Sequence, residues 1–145
     1  MNTTRRRVWS LRKSSVPSWV PGLALDDILT TGQSEVLAGL FSLTKRMPLR
    51  NGCQGGTFVS TKLMTKMNAY FHSNFGLFYF MRIIHALEAK GMLIQRRIGK
   101  TYKRGLILST DLTNFQERAA DITDAEIMAA GSITQAKSQD ASDLY

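Results

Sequence analysis

Between Phe80 and Ser109 the chain reads FMRIIHALEAKGMLIQRRIGKTYKRGLILS, and no other stretch limits the fold so tightly. Ile83, Ile84 and Leu87 recur at helical spacing, while Arg82, Glu88 and Lys90 fall on the opposite side. Gly91 stands where a helix commonly ends on a left-handed residue. Beyond it, Met92–Ile98 and Thr101–Leu108 have the composition of strands, joined by a tight turn at Gly99-Lys100. The segment therefore predicts an amphipathic helix running directly into a hairpin. The hairpin carries Arg96, Arg97, Lys100, Lys103 and Arg104 with no carboxylate among them. Charges on an edge strand protect it from aggregation, but five cations with no acid exceed that need. They suit an anionic polymer.

Upstream, Gln33–Lys45 predicts a first helix, capped by Thr31 or Gly32, with Val36, Leu37, Leu40, Phe41 and Leu43 inward and Pro48 as its stop. The glycine-rich Leu49–Thr57 reads as a mobile connector. It lacks the GxxxxGK pattern of a phosphate-cradling loop. Ser60–Met67 predicts a short second helix, capped by Ser60 and ended by Asn68, with Leu63, Met64 and Met67 inward and Lys62 and Lys66 outward. A turn at Ala69–Ser73 leads into the third helix, Asn74–Lys90. The expected fold class is mainly α with a small β-hairpin, an α+β arrangement of three helices plus a two-stranded element. Residues 1–22, with Arg5, Arg6 and Arg7, Trp9 and Trp19, and Pro17 and Pro21, read as a basic flexible arm. That arm either lies along phosphates or is tacked down by its tryptophans. Residues 23–110 form the expected domain. Phe115, Ala119, Ile122, Ile127 and Met128 mark one or two further helices within 111–130, with Thr123 and Glu126 as a capping box. The acidic segment 131–145 reads as disordered.

Charge separates the chain into two parts. Residues 1–110 hold 17 Lys+Arg against 4 Asp+Glu, and residues 111–145 hold 2 against 7. A body this basic attracts polyanions, nucleic acid first and anionic membrane second. The longest strictly apolar run, Leu77–Met81, is far shorter than the roughly 20 residues of a membrane span. The single Cys53 cannot form an intramolecular disulfide, so nothing points to an oxidising compartment. The basic start lacks the uninterrupted apolar core of a secretory signal. A cytoplasmic protein is the expectation, with an organelle transit segment the alternative.

The succession of elements, and above all Arg82-Ile83-Ile84-His85-Ala86-Leu87-Glu88-Ala89-Lys90-Gly91-Met92-Leu93, resembles the winged helix-turn-helix DNA-binding superfamily over residues 32–109. The resemblance implies that the third helix enters a major groove while the hairpin, as a wing, contacts backbone or minor groove. Arg82 would then face the groove, and Arg96, Arg97, Lys100, Lys103 and Arg104 would lie on the wing with Tyr102 packed on a sugar. Lys62 and Lys66 would approach phosphates from the second helix. Ser73, Asn74 and Tyr79 are the other groups able to hydrogen-bond a base. The Met67–Arg82 spacing is longer than is usual in the family. The aromatic run Phe75–Phe80 reads as extra core or a dimer contact, or alternatively as a stacking platform for unpaired bases.

No catalytic centre emerges. His72 and His85 read as packed or surface histidines, Cys53 with two distant histidines makes no zinc site, and nothing asks for a cofactor. The expected function is double-stranded DNA binding by a homodimer, as a small transcriptional regulator or as a plasmid or phage replication or partition factor. Alternatives from other classes are an RNA-binding or ribonucleoprotein component, and a protein-interaction adaptor using the surface at Leu77–Phe80.

Overall fold

The computed structural model describes Pro17, Trp19, Val20, Leu23 and residues 28–130. Arg5, Arg6 and Arg7, Trp9, Pro21 and the acidic 131–145 segment lie outside the described residues. The chain is mixed α and β, and it divides into two compact units. The helical unit comprises residues up to 43 with 60–91, and the sheet unit comprises 44–59 with the residues from 92 onward.

In the helical unit, α1 (Thr31–Leu43) packs against both α2 (Thr61–Phe71) and α3 (Leu77–Ala89). The α1 cap is Thr30, one residue before the expected Thr31 or Gly32. Its Oγ1 accepts from Gln33 N at 3.2 Å while Gln33 Oε1 accepts from Thr30 N at 3.2 Å, a reciprocal capping box. Every residue from Ser34 to Phe41 is buried, as expected of a helix at the centre of its unit. At Gly39 a Cβ would lie 2.6 Å from Phe71 Cε2 and 2.7 Å from Met67 Sδ, so the bare backbone lets α2 approach closely. Trp19 meets Phe41 edge-to-face at 5.7 Å, which ties that part of the arm to the core.

Helix α2 begins as expected, with Ser60 Oγ accepting from Leu63 N at 3.1 Å. It does not end at Asn68. It continues to Phe71 and stops on His72 in the left-handed region (φ 52). Asn68 serves the turn instead: its Oδ1 accepts from Phe75 N at 2.7 Å and Ser73 Oγ at 3.2 Å, and its Nδ2 donates to Phe75 O at 3.1 Å. The turn is thus 72–76, and α3 starts at Leu77 rather than Asn74. Phe80, Ile83, Ile84 and Leu87 are the buried face of α3, and Gly91 takes its left-handed conformation (φ 77).

The expected two-stranded element is a three-stranded antiparallel sheet in the order β1-β3-β2, with β1 Cys53–Phe58, β2 Ile94–Arg97 and β3 Arg104–Ser109. Half of the segment expected as a connector is therefore a strand. Its glycines serve close approach: at Gly55 (φ 142) a Cβ would sit 2.0 Å from Leu106 O, and the register shifts between Gly55 and Phe58. The hairpin loop is also longer than a two-residue turn. Arg97 pairs with Arg104, and residues 98–103 form a loop closed by Ile98 N to Lys103 O at 2.9 Å and Thr101 N to Ile98 O at 3.1 Å.

Helix α4 (Phe115–Ala120) and the helical residues 124–130, α5, complete the sheet unit. Phe115, Ala119, Ile122 and Ile127 share a core with Cys53, Ile98 and Ile107. A Cβ at Gly105 would lie 2.5 Å from Ile127 Cγ2, so α5 sits tightly on β3. The Thr123–Glu126 capping box forms, with Thr123 Oγ1 accepting from Glu126 N at 3.2 Å. Arg118 braces the rim of the unit through Asn51 O at 2.8 Å and Thr113 O at 3.1 Å, while Arg50 meets Glu126 at 3.1 Å.

Candidate nucleic-acid interface

Among the described residues, the cations singled out in the sequence fall into two groups, one on each unit. On the sheet unit, Arg97, Lys100, Thr101, Tyr102, Lys103 and Arg104 are all exposed at the loop end of the hairpin. The loop is stiffened from within: Thr101 Oγ1 donates to Ile98 O at 2.6 Å and accepts from Lys103 N at 3.2 Å. Arg97 Nε donates to Thr101 O at 2.8 Å, and its guanidinium lies 5.9 Å from the centre of the Tyr102 ring. Lys103 Nζ lies 5.5 Å from the centre of the Phe58 ring. Tyr102 is 96% exposed. One carboxylate does reach this loop, since Asp124 Oδ2 accepts from Gly99 N at 3.0 Å. It holds the backbone of the turn.

Arg96 has a different task from its neighbours. Its guanidinium donates to Ala119 O at 2.6 Å and to Ile122 O. Ala119 O, in the last turn of α4, also accepts from Ile122 N at 3.1 Å, and the partial negative charge at that helix end favours the guanidinium beside it. The side chain is half-buried and joins β2 to the end of α4. Arg96 thus differs from the exposed Arg97.

On the helical unit, Lys62 is exposed and Lys66 is half-buried. Burial, and then the Lys62 charge one turn away, push the Lys66 ammonium below its usual range. A nearby phosphate would oppose both effects. Asn74 and Arg82 are exposed. Ser73 donates its hydroxyl to Asn68 Oδ1 and so belongs to the turn. Tyr79 is 49% exposed, but its hydroxyl overlies Gly32, where a Cβ would be 2.8 Å away, and its ring lies 5.7 Å from Phe75. Only Phe80 of the aromatic run is fully buried, whereas Leu77 and Phe78 point outward and Phe78 is 88% exposed. The sequence takes Phe75–Phe80 as one block, core or surface, whereas the structure separates the outward Phe78 from the buried Phe80. Counting positions along α3 from the buried Phe80, Ile83, Ile84 and Leu87 would have placed Phe78 opposite them.

Cys53 is buried, and desolvation raises its thiol pKa against the opposing pull of Arg118, which suits packing rather than nucleophilic attack. Among the described residues no group of His, Cys, Asp and Glu is arranged to hold a metal ion, and no helix is long and apolar enough to cross a membrane. No family model matches the chain, and neither the curated proteins nor the solved structures contain a match to it.

Proposed function

We propose that this protein binds double-stranded DNA as a winged helix-turn-helix, with α3 reading bases and the β2–β3 hairpin gripping phosphates. The observation that carries the reading is the loop end of the hairpin, where Arg97, Lys100, Lys103 and Arg104 stand exposed around Tyr102. The succession of α2, a five-residue turn at 72–76, α3 and the hairpin supports it, and the additional strand β1 leaves that succession intact. The role is binding rather than catalysis, in the cytoplasm and as a homodimer on a twofold site. A small transcriptional regulator, or a replication or partition factor of a plasmid or phage, fits this chemistry.

The test is a titration of labelled duplex at salt from about 50 to 200 mM. Four hairpin cations with Lys62 and Lys66 contribute about −5 to the log–log slope per protomer, so the dimer should show about −11, from roughly −0.9 per phosphate contact. An affinity that does not change over this range contradicts the reading. One observation favours a second reading, binding of RNA or single strands: the exposed Tyr102 ring beside Arg97 is a platform on which an unpaired base can stack. Competition between duplex DNA and structured RNA for the same protein separates the two.

A further inference from the structure

At about 100° per residue, the buried Phe80, Ile83, Ile84 and Leu87 define one side of α3, and Phe78, Arg82, His85 and Ala89 run along the other. All four are exposed, and Phe78 lies almost diametrically opposite the buried face. A phenyl ring held in water at that position forgoes the burial that usually accounts for a phenylalanine. The surface that covers it must also accept Arg82, one turn further along the same stripe. A second copy packed α3 against α3 would place two Arg82 guanidinium groups in one contact whose stripes carry no carboxylate, which disfavours that occupant. The floor of a DNA major groove meets both needs. It offers guanine O6 and N7 as acceptors for an arginine, and one apolar group, the thymine 5-methyl.

We infer that Phe78 is a specificity-determining residue that packs on a thymine methyl in the major groove, with Arg82 on a guanine close by. Phenylalanine has no donor or acceptor, so the methyl is the only base-edge group it can distinguish. Four residues of helix rise about 6 Å, less than two base-pair steps of about 3.4 Å. The thymine and the guanine therefore lie within about two base pairs of each other in each half-site. This inference rests on the duplex-binding reading and adds the base that one side chain selects.

The test uses duplexes that the full-length protein selects from a random pool, with each thymine replaced in turn by uracil, which lacks only the methyl. Wild type should lose about fourfold in affinity at one thymine per half-site, the value of one buried methyl-sized group. F78A removes the contact in both half-sites, so it should bind the thymine duplex on the order of 16-fold more weakly and treat thymine and uracil alike. R82A should keep the thymine–uracil difference and lose discrimination at the neighbouring guanine. Uracil tolerated at every position, or a difference that persists in F78A, overturns the inference while leaving duplex binding in place. A dimer that dissociates on F78A, in a protein indifferent to uracil, assigns the ring to a protein interface and overturns it too. Failure to select any duplex removes both this inference and the reading beneath it.

Discussion

The outward stripe of α3 and the loop end of the β2–β3 hairpin hold out different chemistry. The stripe alternates an apolar ring, a guanidinium and an imidazole on a rigid helix whose other side is core. The hairpin presents four cations around one tyrosine, and its loop is held by its own Thr101 and by Asp124 from outside the hairpin. A surface of mixed character can tell one base edge from another, whereas a surface of point charges sees only phosphate. On the proposed duplex-binding reading, selectivity falls to α3 and salt-dependent affinity to the hairpin. The contrast also runs within β2 itself. Arg96 and Arg97 are adjacent, yet strand alternation sends one to the carbonyls of Ala119 and Ile122 and the other to the surface.

The strongest way to break this division is to remove the hairpin cations together. K100A/K103A/R104A should weaken binding to every duplex on the order of 100-fold per half-site at about 0.15 M salt, from roughly fivefold per lost phosphate contact, and should flatten the salt slope by about three per half-site. Next comes a stability difference between neighbours. R96A leaves two carbonyls without their charged donor and should cost about 2 kcal/mol in urea unfolding, whereas R97A should leave stability within about 0.5 kcal/mol and lower affinity instead. Equal effects would erase the distinction drawn between them. R82A should cost the selected site about tenfold per half-site, since a good arginine–guanine pair contributes about 1–3 kcal/mol, while an unrelated duplex is bound almost as before. The smallest effect is at the platform of α3. S60A removes the α2 cap and should lower unfolding free energy by about 1 kcal/mol, with no change in the salt slope.

Much of the frame was legible in the sequence because it is written in local signals. The apolar spacing of α3, the Gly91 stop, the Ser60 cap and the Thr123–Glu126 box all involve residues within a turn or two of one another. Part of what escaped depends on partners distant in sequence, and part on local choices that have two solutions. Gly55 reads as loop until Leu106 O is placed against it. Asn68 reads as a helix stop because its side chain can bond either backward or forward, and here it bonds forward to Ser73 and Phe75. Counting charge cannot separate Arg96 from Arg97, because the acceptors at Ala119 and Ile122 lie more than twenty residues away. Phe78 was grouped with its aromatic neighbours although the helix turns it the opposite way from Phe80. Within the candidate site, the exposed cations were legible as a class, but the structural duties of Ser73 and Arg96 were not.

The most direct test is the ratio of affinities for a selected and a scrambled duplex, measured at one salt concentration for wild type, R82A and K100A/K103A/R104A. The account predicts that R82A collapses the ratio while the scrambled duplex binds as before. The hairpin variant should lose both affinities in proportion and keep the ratio. A hairpin variant with an altered ratio, or an R82A protein weakened equally on both duplexes, would contradict it.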